Sequence, residues 1–321
     1  MSARIIGTGS SLPKKVVTND DLSKIMDTSD EWIYTRTGIH SRHIAIDETT
    51  TSLATQAAKR AIENAGISPE QIGLIIVATV SWDTFYPCCG CEVQANIGAV
   101  NAAAFDVNVG CSGFVFGAQI VYNYMKNASV DYALVIGAEV LSKMMDWSDR
   151  STCVLFGDGA GAAIFKRDSE GGILAITQGS DGSRGASLTC KNRPVNNAFI
   201  KREEPMDYTH MGGQDVFKFA VRTVPESISK VLDEAGLAPS DIKYFILHQA
   251  NIRIIEAVAK RMGEPMEKFP TNLANTANIS AATIPILLDE VSQAGKLERG
   301  DKIVMAGFGA GLTWGAAVIE W

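Results

Sequence analysis

The chain has 321 residues, 46% of them apolar and 20% charged, which supports a large buried core and excludes wholesale disorder. Lys and Arg number 29 against 36 Asp and Glu, a formal net charge of −7 that excludes a general nucleic-acid binder and leaves room only for a local basic patch. No apolar run approaches the roughly 18 residues of a membrane span, and six cysteines are sparse for a disulfide framework.

In chain order, Ala3–Gly9 reads as a strand so close to Met1 that a signal peptide has no room, and a soluble cytoplasmic protein is expected. Ser52–Ala65 carries Leu53, Ala57, Ala61 and Ile62 at helical spacing and stops at Gly66. Gly73–Val80 is a nearly continuous apolar run of strand length, as strands buried on both faces are. After Pro87, Cys88-Cys89-Gly90-Cys91 reads as helix. No second thiol pair or spaced His pair completes a zinc site, so no metal is expected. Ala103–Val107 reads as a strand and Phe114–Met125 as a helix, followed by strand-like Asp131–Gly137, Lys243–Leu247 and Lys302–Ala306. The class is α/β.

Two glycine-rich runs, Gly157–Gly161 and Gly307–Gly311, superficially resemble phosphate loops. A dinucleotide fingerprint needs a helix after the loop and an acid about 20 residues on. Here Ala162–Lys166 and Leu312–Trp321 read as strands, so both runs are expected as tight strand-to-strand turns or as backbone donors facing a site.

Sliding the chain by 170 residues superposes Ala65-Gly66-Ile67-Ser68-Pro69 on Ala235-Gly236-Leu237-Ala238-Pro239. The same offset places Asn108 on Asn278, Asp131 on Asp301 and Gly137 on Gly307. A constant, gapless offset points to an internal duplication with halves 1–168 and 169–321, turning at Asp168–Gly172.

Cys111 stands between the strand ending at Val107 and the helix beginning near Phe114. The first-turn N–H groups there favour a thiolate, and Gly110 and Gly113 permit a tight turn. A small buried residue is the competing reading, and the residues alone leave both open. His248 closes the strand Lys243–Leu247, where open α/β sheets bind ligands, although a structural His at a helix start fits as well. His40, His43 and His210 occupy polar, loop-like surroundings. Asn278 precedes a helix running to about Ala294, commonly a capping position. As the duplication partner of Asn108 it should face the Cys111 turn.

Together these motifs resemble the β-ketoacyl-acyl carrier protein synthase III family, initiating condensing enzymes of bacterial fatty-acid synthesis in the thiolase superfamily. The resemblance spans essentially the whole chain. It rests on Asp30-Glu31-Trp32-Ile33, Arg36-Thr37-Gly38-Ile39, Cys111-Ser112-Gly113-Phe114 and Phe156-Gly157-Asp158-Gly159-Ala160-Gly161-Ala162. Further along it rests on His248-Gln249-Ala250-Asn251, Asn278 with Pro285, and Gly307-Phe308-Gly309 with Thr313-Trp314-Gly315. It implies a thiolase-like duplicated αβαβα five-layered fold and a catalytic set of Cys111, His248 and Asn278. Asn275-Thr276 mimics part of the family signature, but the family spacing to Pro285 selects Asn278, as the duplication does.

The resemblance further implies transfer of a short acyl group, acetyl above all, from CoA to Cys111. Decarboxylative condensation with malonyl-acyl carrier protein follows, with no cofactor and no metal. Backbone N–H groups of Cys111 and near Ala310 would form the oxyanion hole. Thr28, Trp32, Arg150 and Asn251 would bind CoA. Gln249, Ala250, Asn251, Ile252 and Arg253, with Lys218, Lys260 and Arg261, would form the basic patch for the acidic carrier protein. Tyr86 would enter the partner's acyl tunnel in a homodimer. Departures are the Val107–Gly110 run before the cysteine, Ala310 where a glycine is usual and His40 where Arg is common. Related readings are a Cys-His-Asn condensing enzyme of secondary metabolism, including polyketide or quinolone types, and a non-catalytic dimer partner. The first usually lacks this basic patch and the second typically loses the cysteine. A hydroxymethylglutaryl-CoA synthase needs a glutamate base for which no position stands out.

Overall fold

In the computed structural model, which describes residues 2–127, 130–202 and 207–321, nine strands build two mixed sheets. Up to Asp168 the chain runs β1 (Ser2–Ser11), β2 (Lys15–Thr18), α1 (Asn19–Leu22), α2 (Asp30–Thr37), β3 (Ser41–Ile44), α3 (Thr50–Ala65) and β4 (Leu74–Ala78). It continues through α4 (Cys89–Ile97), β5 (Ala103–Val107), α5 (Gly113–Lys126), β6 (Tyr132–Val140) and β7 (Asp158–Asp168). Beyond Gly171 come β8 (Gly172–Ser180), β9 (Leu188–Thr189), β10 (His210–Met211), α6 (Gly213–Ala235) and β11 (Tyr244–Leu247). The chain ends with α7 (Ile252–Met262), α8 (Leu273–Thr276), α9 (Thr283–Gln293), β12 (Lys302–Gly309) and β13 (Thr313–Glu320).

The first sheet has the order β1-β7-β6-β4-β5 and the second β11-β12-β13-β8. β4 pairs in parallel with β5 and β6, and β11 with β12; the other ladders of these two sheets are antiparallel. Helices α5 and α9 lie between the sheets and touch both. Their composition requires this: Phe114, Val115, Ala118, Val121 and Met125 of α5, and Ile284, Ile286, Leu287, Leu288 and Val291 of α9, are all buried. A helix apolar around most of its circumference must be covered on every side. α3 and α4 cover the outer face of the first sheet, and α6 and α7 that of the second. The layers therefore run α, β, α, β, α.

The 170-residue spacing recurs in the elements. β1 and β8 begin at Ser2 and Gly172, β6 and β12 at Tyr132 and Lys302, and α5 and α9 at Gly113 and Thr283. α3 and α6 end on Gly66 and Gly236, in the left-handed conformation at φ 64° and 68°, where glycine stops a helix without a Cβ clash. β5 breaks the pattern, because its counterpart positions form the short helix α8. Among the described residues no helix is long and apolar enough to cross a membrane.

The run Gly157–Gly161 is not the expected strand-to-strand turn. It enters β7 at Asp158, and a Cβ at Gly161 would lie 2.5 Å from the Ile286 backbone nitrogen and 2.9 Å from Pro285 Cβ. The first turn of α9 rests directly on the strand, and only glycine leaves room for it. Gly307–Gly309 likewise belongs to a strand, β12, and the turn follows at Ala310 and Gly311.

Gly137 of β6 sits under the turn Ser280–Ala282, where a Cβ would collide with the Ala281 carbonyl oxygen. Gly137→Ala should destabilise the protein by about 1–3 kcal/mol, as overpacking of a filled interior does. Urea unfolding monitored by tryptophan fluorescence checks this; an unchanged midpoint would mean the turn yields freely.

Candidate active site

The strand β5 delivers the chain to Val107, and a 3₁₀ turn, Gly110–Ser112, places Cys111 immediately before α5. Gly110 has φ 57°, and a Cβ on it would approach the Ala310 nitrogen to 2.8 Å. A Cβ on Gly309 would collide with the Cys111 nitrogen. The bare glycines thus bring the backbone N–H groups of Cys111 and Ala310 side by side. Neither donates another hydrogen bond among the described residues. The Ser112 and Thr313 hydroxyls, 2.7 Å apart and buried, stitch the two turns together. Paired backbone donors beside a thiol are the arrangement that can hold a developing oxyanion. Ala310 is compatible with it, because the close approach is carried by Gly309.

His248 follows β11 and is 2% exposed. Its Nδ1 lies 2.7 Å from the Thr283 hydroxyl of α9, and Phe308 meets its ring edge-on at 5.3 Å. Asn278 is clamped by backbone bonds on both sides, its N–H to the Leu155 carbonyl and its carbonyl from the Gly157 N–H, each 3.0 Å. Its Oδ1 accepts the Ser280 N–H at 2.8 Å, which leaves the amide hydrogens of Nδ2 to donate. Ala277 and Ser280, at φ 58° and 47°, hold left-handed conformations that cost side-chain-bearing residues free energy and mark an over-determined turn. Cys111, His248 and Asn278 line one cleft of about 430 Å³.

Burial decides the protonation states. It pushes His248 down to about 3, so the imidazole is neutral near pH 7 and carries one N–H to donate and one bare nitrogen to accept. It pushes the Cys111 thiol up to about 12, against a smaller opposing effect of the Ser280 hydroxyl and the residue's own N–H. With Cys111 8% exposed, desolvation outweighs the first-turn N–H groups that favour a thiolate. Glu139, fully buried beneath the site and accepting from Ser81 Oγ at 2.5 Å, is likewise raised by burial to about 7.

At the cleft mouth, Trp32 of α2 carries the guanidinium of Arg36 at 4.7 Å and that of Arg150 at 5.0 Å from its ring centre. Arg150 also bonds the Asp27 carbonyl and carboxylate. The adjacent Thr28 hydroxyl is shielded and has no partner among the described residues. Asn251 caps α7 through the Arg253 N–H at 2.9 Å and donates to the Arg36 carbonyl at 3.0 Å, joining α7 to α2. Ala250 and Arg253 also line the cleft.

Of the residues expected on the carrier-protein surface, Gln249 lies inside and Ile252 is half-buried. Gln249 is 0% exposed, donating to the Leu247 carbonyl and accepting from the Asn272 N–H, so its polar group serves the backbone. Ile252 packs against Gly38, where a Cβ would come within 2.8 Å of it. Lys218, Lys260 and Arg261 are exposed. Arg261, at the far end of α7 from the cleft, reaches the Val221 carbonyl of α6 and pairs with Glu226 at 3.8 Å. Tyr86 is 88% exposed and does not line the cleft of its own chain. His40 stacks on Tyr34 and bonds Asp30, away from the chemistry. Phe308, Ser280 and Thr283 do not stand out in the sequence as site residues; the His248 ring reveals Phe308 and Thr283, and the Asn278 amide reveals Ser280.

A five-layered αβαβα fold with a buried cysteine, a neutral histidine and an asparagine lining one cleft is that of a thiolase-type condensing enzyme. Residues 105–182 match the family described as 3-oxoacyl-[acyl-carrier-protein (ACP)] synthase III, and residues 232–321 match its C-terminal family. The chain is 51% identical over 321 residues to the beta-ketoacyl-[acyl-carrier-protein] synthase III of Clostridium acetobutylicum, covering 100% of this chain and 99% of that one. It is similar to the solved 3-oxoacyl-[acyl-carrier-protein] synthase III of Aquifex aeolicus VF5, with TM-score 0.94 and 46% identity over 99% of this chain and 100% of that one. The enzyme of the same name from Pseudomonas aeruginosa PAO1 superposes with TM-score 0.93 at 38% identity, over 100% and 98% of the two chains. The chain belongs to the beta-ketoacyl-[acyl-carrier-protein] synthase III family.

A thiol held near 12 makes a testable demand on reactivity. Alkylation of Cys111 by iodoacetamide, followed by peptide mass spectrometry to separate it from exposed Cys91 and Cys190, should accelerate about tenfold per pH unit from neutral to about pH 10. A plateau near neutrality would show that the turn's N–H groups outweigh burial.

Proposed function

We propose that this chain starts fatty-acid synthesis by moving a short acyl group from acyl-CoA to Cys111 and condensing it with malonyl-acyl carrier protein. Supporting this is the gathering of Cys111, His248 and Asn278 in one cleft, with the Cys111 and Ala310 N–H groups brought close by Gly309 and Gly110. In the first half-reaction the Cys111 sulfur attacks the thioester carbonyl, and its oxygen takes up charge against the two N–H groups. The C–S bond to CoA breaks, and CoA leaves with the proton that the thiol gives up. In the second, malonyl thioester loses CO₂, and the bonding pair becomes an enolate whose oxygen faces His248 and Asn278. Neutral donors in a desolvated pocket suit that charge, since a neutral imidazole gives up no proton to quench the carbanion. The carbanion attacks the acyl-Cys111 carbonyl, Cys111 leaves as thiolate and regains a proton, and 3-oxoacyl-acyl carrier protein departs. Electron pairs move only among C–S, C–C and C–O bonds, so the scheme calls for no electron carrier.

Trp32 and Arg150 would part to admit the CoA adenine, with the unpartnered Thr28 hydroxyl and Asn251 near the rest of the CoA. The carrier protein would dock over Ala250 and Arg253 at the mouth and Lys218, Lys260 and Arg261 beyond it. Homodimerisation fits the open edge of β5, an unpaired ladder of the kind that recruits another strand, and the exposure of Phe85 and Tyr86 at 61% and 88%. Halves 1–168 and 169–321 would be the duplicated units, and these substrates place the enzyme in the cytoplasm.

The decisive experiment measures CoA release from acetyl-CoA alone beside CO₂ release from malonyl-acyl carrier protein. Cys111→Ser should abolish acyl transfer. His248→Ala and Asn278→Ala should each lower decarboxylation by about 10²–10³-fold while acylation persists. Equal loss of both half-reactions in His248→Ala would make it the thiol's base and overturn the division of roles. Charge reversal at Lys218 should weaken use of the carrier protein and spare self-acylation.

A further inference from the structure

The donor role of His248 depends on which of its nitrogens carries the single hydrogen of the neutral ring. Burial keeps the ring neutral, and the partner of one nitrogen then fixes the state of the other. Nδ1 is turned toward α9, so Nε2 is the nitrogen left to the cleft. Nε2 donates only if Nδ1 is bare, and a bare, buried Nδ1 needs a donor's hydrogen to bond it. Among the described residues, the one group placed to give it is the Thr283 hydroxyl at 2.7 Å, itself 2% exposed.

That hydroxyl has one hydrogen and a second acceptor within reach, the Ser280 carbonyl at 3.0 Å. The two acceptors are not in equal need. The Ser280 carbonyl already accepts the backbone N–H of Thr283, which closes the 3₁₀ turn before α9. Nδ1 has no other donor among the described residues. Resting on the half-reactions proposed above, we infer that Thr283 is a positioning residue that donates its hydroxyl hydrogen to His248 Nδ1 and so holds the Nε2–H tautomer for the enolate oxygen. The turn then sets both donors at once. Ser280 N–H takes Asn278 Oδ1, and Thr283, three residues on, takes His248 Nδ1. Each contact occupies the acceptor of a two-faced group and turns its donor to the cleft.

Thr283→Val removes the hydroxyl at nearly constant shape. It should lower malonyl decarboxylation by about 10–100-fold, the range seen when the outer hydrogen-bond partner of a metal-ligating histidine is lost. Acylation by acetyl-CoA should be retained, and Thr283→Ser should restore decarboxylation. With four histidines in the chain, ¹⁵N-histidine labelling resolves the ring directly. The wild type should show His248 protonated on Nε2 and bare on Nδ1, and the valine variant should lose that preference. Thr283→Ala reads the same losses if the valine variant does not accumulate. A wild-type spectrum with hydrogen on Nδ1 overturns the inference. So does full decarboxylation in Thr283→Val while His248→Ala is impaired. If His248→Ala itself spares decarboxylation, the underlying division of roles fails instead.

Discussion

Backbone meets backbone at the centre of this molecule because side chains are missing there. A Cβ at Gly113 would lie 2.6 Å from Ala78 Cβ and 3.2 Å from Ala281 Cβ, and one at Gly307 would lie 3.3 Å from the Cys111 carbonyl oxygen. With Gly110, Gly137 and Gly309, these positions let the turns before α5 and α9 pack against each other and against strands of both sheets. Cys111 and Asn278 belong to those turns, and the Ala310 N–H faces them from the turn between β12 and β13. The geometry of the cleft is thus set largely by main chain, which few side-chain rotations can disturb.

The same enclosure sets the electrostatics. Close packing excludes water, and excluded water raises the thiol, lowers the imidazole and raises Glu139. The buried thiol and imidazole are therefore neutral near pH 7, while Glu139 sits close to its midpoint.

Much of this was legible in the sequence, for identifiable reasons. The apolar runs that became β4, β6 and β12 had strand length, and the gapless offset fixed which elements correspond. Cys111, His248 and Asn278 each stand at an element boundary, and the structure brings them to one cleft. Patterns of polarity failed where a polar group serves the backbone. Gln249 looked like surface because it sits among Ala250, Asn251 and Arg253, yet its amide bonds the Leu247 carbonyl and the Asn272 N–H in the interior. The glycines after Phe156 looked like a turn, because sequence does not show that α9 lies on that strand. Thr283 looked like one more residue of a helix start; its meaning depends on a ring 35 positions away.

Three residues, Ser169 to Gly171, are all that join β7 to β8. The oxyanion donors come from either side of that joint, Cys111 before it and Ala310 after it, and so do the thiol and the His248–Asn278 pair. Severing the joint would leave two pieces, each with a sheet and one of the two central helices, and neither with a whole site. Each piece alone would bare the apolar face now shared by α5 and α9. Activity in such a split protein would therefore report reassembly and nothing else, and this makes the enzyme a natural scaffold for fragment complementation.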